Sequence, residues 1–409
     1  MSKNGPRPRP ARGERTRAVH GAEQHKPGPM TTPIVRSATF SFASLAAMNG
    51  EQDRGRDSAY YQRIAHPTVR ACERRLAELE GAEDALLFAS GMAAISAAML
   101  ALVGHGDHVV AMKQSYGGTH ELLKFGRDHF GWTFDLVDAR TPGNWAAAFT
   151  PRTRVLHVET PTNPVNEIVD LAGAAELAHA RGARLTVDNT FASPVGQRPL
   201  EFGADLALYS ATKSIGGHAD LIAGAATGST ALLESLFNVR KTFGPIIAPE
   251  VAWTIERSLK TLPLRVAAQN ANALELAQRL SAHPGVAQVM YAGLASHPRH
   301  TLAARQMKLG FGPVVAFEVR GGAAAAEETV GAFQLVRHAP SLGGVESLAS
   351  LPAFTSHVHM SPEDRAAAGI PEGTIRLSLG IEDVDDLWAD LDQALARAAA
   401  FSTSGGPAR

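Results

Sequence analysis

Short runs of strand-forming residues alternate with helical stretches along most of this 409-residue chain, and that alternation limits the folds open to it. Ala85–Ala89, 107–112, Thr133–Val137, 154–158, 184–187 and 205–209 read as strands. Helical patterns separate several of them. Val69, Cys72, Leu76 and Leu79 recur at helical spacing with Gly81 as a stop, and a second pattern over 171–181 ends at Gly182. Such units predict a three-layer α/β/α domain with a mostly parallel central sheet and helices on both faces. A helical tract over 249–280, with a break expected near Pro263, leads to a second set. That set comprises strands over 286–291, 314–319 and 374–379, a helix over 323–333, and a last helix from Asp383 to about Ala399. A smaller C-terminal α/β domain fits it. No repeat of about 20–50 residues is visible.

The ends read differently. Residues 1–30 are rich in Pro, Gly, Arg and Lys and poor in apolar side chains, so they are expected to form a flexible arm, which a partner chain could order. Residues 402–409 are expected to fray. Lys+Arg 39 against Asp+Glu 40 gives a net charge of -1, which excludes a bulk positive field for nucleic acid or an anionic membrane. A single Cys excludes an internal disulfide framework and a CxxC site. No apolar run approaches the roughly 20 residues that span a bilayer, and the N-terminal segment lacks the apolar stretch of a secretory signal. A cytoplasmic enzyme is the expectation.

The segment from Ala204 to His218 carries the most chemistry. A strand should end near Tyr209, placing Ser210, Thr212 and Lys213 on the loop at its carboxyl end, the edge where open α/β sheets bind ligands. A lysine there can form a Schiff base with an aldehyde, hydroxyls can hold a phosphate, and Gly216 and Gly217 let the backbone pass close to a bound group. A surface lysine in a polar turn reads the same way. Asp188 ends the strand before it. A buried Asp keeps a pyridine nitrogen protonated and the ring a good electron sink, although an acid at a strand end also caps helices. Ser90-Gly91-Met92 joins a strand to a helix whose first N–H groups can face an anion. Tyr116 sits in a glycine-rich turn where its ring could stack on a flat cofactor or simply lie on the surface.

Taken in order, the motifs TTPI, YQRxxHPT, FASGM, YGGT, ETPTNP, VDNTFASP, SATKSIGGH, SLGGVES and IRLSLGIED make the chain resemble a known family from about Pro33 to the C-terminal helix. It is the Cys/Met-metabolism (transsulfuration) group of pyridoxal 5'-phosphate enzymes: cystathionine γ-synthases and γ-lyases, methionine γ-lyases and O-acylhomoserine sulfhydrylases. The resemblance implies the fold-type-I architecture of pyridoxal-phosphate transferases. An arm over 1–60, a cofactor-binding large domain over 61–258 and a C-terminal domain over 259–409 would follow.

It also implies roles. Lys213 would carry the cofactor and shuttle protons, Asp188 would pair with the pyridinium nitrogen, and Tyr116 would stack on the ring and serve as acid/base at the leaving group. Gly91 and Met92 through backbone N–H, with Ser210 and Thr212, would hold the phosphate. Tyr61 and Arg63 of a neighbouring subunit would complete that phosphate site, within a homotetramer of two catalytic dimers. Arg376 would clamp the α-carboxylate of a small amino-acid substrate, assisted by Asn163 and Ser341; a guanidinium fork suits that task.

The chain departs from the family pattern at five places. The family usually has Ser and Asn where this chain has Gln62 and His66, and a bulky residue where it has Ser214. Methionine γ-lyases typically carry Cys at the position of Gly118. Many bacterial synthases and the γ-lyases carry Glu at the position of Pro340, where plant-type γ-synthases look like this chain. The expected activity is γ-replacement of an activated homoserine by a sulfur nucleophile. Its rivals are γ-elimination, an aminotransferase of the same fold type, and a non-catalytic relative. Cys72 lies on the apolar stripe of a helix and reads as core; His357 and His359 lack a third ligand, so no metal is expected.

Overall fold

A computed structural model of the chain describes residues 12–21, 27–355, 358 and 360–403. Seven strands, β1 (Asp84–Phe88), β2 (His108–Met112), β3 (Thr133–Val137), β4 (Thr153–Glu159), β5 (Arg184–Asp188), β6 (Leu206–Ser210) and β7 (Gly224–Gly228), form one sheet in the order β1-β7-β6-β5-β4-β2-β3. All pairs are parallel except those of β7, which runs antiparallel to both β1 and β6. Alternate side chains serve opposite faces. On β1, Leu87 joins a core with Leu76, Tyr209 and Ile255, whereas Leu86 and Phe88 join one with Met99, Trp132 and Phe237.

Five further strands, β8 (Val286–Met290), β9 (Val314–Val319), β10 (Arg337–His338), β11 (Leu348–Ser350) and β12 (Thr374–Ser378), form a second sheet in the order β10-β11-β12-β9-β8. Its core packs Val315, Phe317 and Leu377 against the helices Leu262–Ala282 and Val384–Thr403. The three-layer expectation and the smaller α/β unit both hold.

Four details differ from the sequence reading. The N-terminal arm contains a helix, Glu14–His20, with Ala18 fully buried. It is held by polar groups of its own chain: Arg75 Nη1 donates to Ala18 O (3.1 Å) and Val19 O (2.8 Å), and Arg198 pairs with Glu14 at 2.9 Å. The helical tract breaks at Lys260–Thr261 rather than at Pro263, which occupies the first turn of Leu262–Ala282, where no N–H is needed. β7, Gly-Ala-Ala-Thr-Gly, lacks β-branched residues apart from Thr227 and is a strand because it is paired on both sides. The final helix runs on to Thr403, past the expected end near Ala399, so Ser402 and Thr403 are helical; residues 404–409, His357 and His359 lie outside the described residues.

Candidate active site

The carboxyl ends of β1, β2, β4, β5 and β6 meet the middle of β12 and the loop before β11 around a cavity of about 640 Å³. Its wall carries Gly91, Met92, Tyr116, Asn163, Asp188, Ser210, Thr212, Lys213, Ser341 and Arg376. These are all the site residues expected from the sequence except Tyr61 and Arg63. Tyr61 is exposed and paired with Thr39; Arg63 lies with its guanidinium carbon 5.6 Å from the Tyr61 ring centre and donates to Lys241 O at 2.7 Å.

Lys213 Nζ donates to Ser341 Oγ at 2.8 Å. Burial, and then the charge of Arg376, bring its amine down to about 8. Arg376 is 6 % exposed and has no carboxylate partner among the described residues. Its Nη1 donates to Asn163 Oδ1 (3.0 Å) and its Nη2 to Ser341 O (2.9 Å), while Nε has no partner. Burial lowers it to about 10. A desolvated guanidinium of this kind is costly without an anion, so the cavity favours a carboxylate at this wall.

Across the cavity, Asp188 Oδ1 accepts from Thr190 N (3.0 Å) and Thr190 Oγ1 (2.6 Å). The same hydroxyl accepts from Ser210 N at 2.9 Å, so Thr190 ties the end of β5 to the end of β6. Glu159, at the end of β4, accepts from Tyr116 N at 2.8 Å. Burial pushes both carboxyls up, Glu159 well above its usual range, with the charge of Asp188 adding to it. A cation in the cavity would relieve both. Sequence reasoning missed Thr190 and Glu159 as site residues, although both stand inside quoted motifs.

The helix Gly91–Leu102 opens onto the cavity with Ser90 as its cap, accepting from Ala93 N at 3.1 Å. A Cβ on Gly91 would lie 2.8 Å from Ser210 Cβ, and one on Gly224 would lie 2.0 Å from Ser90 O. The missing side chains let the helix start, Ser210 and β7 close on one point. Thr212 Oγ1 is fixed beside it by Ala223, donating to its carbonyl (3.2 Å) and accepting from its N–H (3.0 Å). Helix N–H groups beside two hydroxyls suit a phosphate. Phosphate donors at one end, a buried acid at another and a lysine between them fit pyridoxal 5'-phosphate.

The departures have physical counterparts. A Cβ on Gly118 would lie 2.7 Å from both Met92 Sδ and Tyr116 Cε1. Ser214 is buried against Gly343, where an added Cβ would lie 2.6 Å from Ser214 Oγ. Gly343 has φ +75°, a conformation suited to glycine. His66 is buried near Phe40, with ring centres 6.3 Å apart, and burial holds it below its ordinary value. Pro340 lines the cavity. No group of three or more metal-ligating side chains occurs among the described residues, nor any helix long and apolar enough to cross a membrane.

Comparison with known proteins agrees with this chemistry. The family model described as Cys/Met metabolism PLP-dependent enzyme matches residues 15–396. The chain is 42% identical to an L-methionine gamma-lyase of Pseudomonas putida over 388 residues, covering 93% of this chain and 96% of the relative. It is 44% identical to an O-succinylhomoserine sulfhydrylase of Pseudomonas aeruginosa over 336 residues, covering 82% and 83%. A crystal structure of cystathionine gamma synthase from Xanthomonas oryzae pv. oryzae, in complex with aminoacrylate and cysteine, superposes with a TM-score of 0.89 at 38% identity, covering 96% of this chain and 100% of that one. Matched by that family model over residues 15–396, with a cavity whose lining fits the family's cofactor, the chain belongs to the Cys/Met-metabolism family of pyridoxal-phosphate enzymes.

Proposed function

We propose that the enzyme catalyses γ-replacement on an activated homoserine by a sulfur nucleophile. The observation that carries this reading is Gly118. A Cβ at this position would lie 2.7 Å from both Met92 Sδ and Tyr116 Cε1, so the cysteine typical of methionine γ-lyases would require those two side chains to shift from where they stand. γ-Elimination is the second reading, favoured by 42% identity to a methionine γ-lyase.

Pyridoxal 5'-phosphate, carried on Lys213, supplies an electron sink that stabilises negative charge at the substrate α-carbon. Arg376, with Asn163 and Ser341, binds the α-carboxylate and orients the Cα–H bond toward Lys213 Nζ. Lys213 Nζ, held by Ser341 Oγ and near neutrality in its proton affinity, takes the α-proton and then a β-proton. Tyr116 donates its hydroxyl proton to the departing γ-oxygen. Asp188, oriented by Thr190, keeps a proton on the pyridine nitrogen. Gly91, Met92, Ser210 and Thr212 hold the phosphate. Among the described residues that cradle contains no guanidinium, which supports Tyr61 and Arg63 reaching it from a second copy; a homotetramer in the cytoplasm is the assembly and location that go with this reading.

The test is incubation with O-succinyl-, O-acetyl- and O-phosphohomoserine, cystathionine and methionine, with and without cysteine or sulfide. One of the activated homoserines should give a thioether or thiol product when the nucleophile is present, with 2-oxobutyrate falling in parallel. Methionine turning over best, with 2-oxobutyrate unchanged by added thiol, would favour elimination.

A further inference from the structure

The helix Leu262–Ala282 lies behind the cavity, and two of its side chains, one turn apart, end on the two loops that carry Lys213 and Ser341. Arg265 is 5 % exposed. Its Nη1 donates to Ser214 O (2.7 Å), its Nη2 to Ser258 O (2.9 Å) and Ile215 O (3.4 Å), and its Nε to Thr261 Oγ1 (3.3 Å). No carboxylate pairs with it among the described residues, and burial brings it down to about 10. Four residues on, Gln269 Nε2 donates to Gly344 O at 2.6 Å. Val345 N donates to Gly217 O at 3.0 Å and joins the two loops directly.

A buried, unpaired guanidinium costs stability unless its donors are used. Here they are used on backbone carbonyls. Two belong to the residues immediately after Lys213, both buried, and the third, Ser258 O, stands at the helix break, where it also accepts from Thr261 N and Thr261 Oγ1, both at 3.2 Å. Gly217, at φ +75°, makes the seat: a Cβ there would lie 2.0 Å from Arg265 Nη1. The turn is also held by Lys213 N on Ser210 O (3.1 Å), Gly216 N on Ala211 O (2.8 Å) and Gly217 N on Lys213 O (2.7 Å), none of which uses the Ser214 and Ile215 carbonyls that the arginine takes.

We propose that Arg265 is the positioning residue of Lys213, clamping the carbonyls of Ser214 and Ile215 so that the turn delivers the lysine amine to one place in the cavity. This rests on reading Lys213 as the residue that carries the cofactor. Removing the guanidinium leaves two buried carbonyls without their donor, and the turn must shift to satisfy them. A misplacement of about 1 Å at a reacting group can cost about 100-fold in rate. Arg376 and Asn163 share no bond with Arg265, so substrate affinity should change little.

The experiment compares Arg265→Met, Arg265→Lys and a Lys213→Ala control, each purified with pyridoxal phosphate. Cofactor content, visible absorption, visible circular dichroism, kcat and KM are measured. Arg265→Met should keep the visible band but with altered dichroism, because the cofactor is held at a different angle. Its kcat should fall by about 10-fold or more with KM within about twofold. Arg265→Lys, which keeps the charge and can reach fewer of the carbonyls, should fall between. Unchanged dichroism and kcat in Arg265→Met overturn the proposal, as does a loss that appears only in KM. If Arg265→Met does not fold, Arg265→Lys decides, and wild-type kcat and dichroism in that variant overturn it. A visible band that survives in Lys213→Ala overturns the reading of Lys213 itself, separately from the role of Arg265.

Discussion

Arg376 shows how one side chain can set both ends of a reaction site. Its buried charge is the second cause, after burial, of the lowered proton affinity of Lys213, and its Nε, without a partner among the described residues, is a donor that the proposed substrate carboxylate could use. Arg376→Ala should lose on the order of 2–5 kcal/mol in kcat/KM, the cost of a bidentate charge-assisted pair, and Arg376→Lys should lose less. Titration with one amino-acid substrate checks this, with the cofactor band expected to remain in both variants. Asp188→Asn tests the opposite wall. Asn cannot hold the pyridine proton, so cofactor should bind while kcat falls roughly 100-fold, as when charge stabilisation in a transition state is removed. Steady-state kinetics beside a cofactor assay separates the two. Lys213 and Asp188 were legible in the sequence because each stands at or just beyond a strand end, where α/β sheets present their chemistry. Thr190 and Glu159 were not. Their roles come from contacts between strands, Thr190 reaching from β5 to Ser210 and Glu159 from β4 to Tyr116, and no local pattern marks such a contact.

Between elements, the helix Pro67–Glu80 meets the sheet through a buried acid. Glu80 is fully buried, accepts from the Tyr209 hydroxyl, and burial outweighs that bond to push it up to about 8. Tyr209 also accepts from Asn189 Nδ2 at 3.0 Å, next in sequence to Asp188. A folded-state value raised above the unfolded one gives stability that is fully present below about pH 4.5 and lost as pH rises toward about 8. Glu80→Gln keeps the neutral form's shape and cannot ionise. Its melting temperature relative to wild type should therefore rise steadily between pH 5 and pH 8, as scanning calorimetry would register. The alternating strands and helices were readable from periodicity, but β7 and the Glu14–His20 helix were not. β7 is made a strand by its two neighbours, and the helix is held by Arg75, more than fifty residues away.

For the whole molecule, the position of Tyr61 and Arg63 outside their own cavity motivates a complementation experiment. Lys213→Ala and Arg63→Ala chains should each be inactive alone. Mixed after partial dissociation and reassembly, they should regain up to about a quarter of wild-type activity, because one hybrid site carries neither defect. Hybrid assemblies without activity would assign Arg63 to its own chain or remove it from the site.

The antiparallel strand β7 also sets a timetable for making the protein. Among the described residues β1 pairs with β7 and with no other strand, through the register Asp84 with Gly228 to Phe88 with Gly224. On a ribosome adding ~5–20 residues per second, the partner of β1 emerges about 140 residues later, a delay of about 7–28 s. During that interval Ala85, Leu86, Leu87 and Phe88, all fully buried in the finished fold, have no sheet to enter. Nascent chains halted near residue 200 should accordingly bind chaperones and aggregate on release, whereas chains halted far enough past residue 228 for β7 to clear the exit tunnel should not.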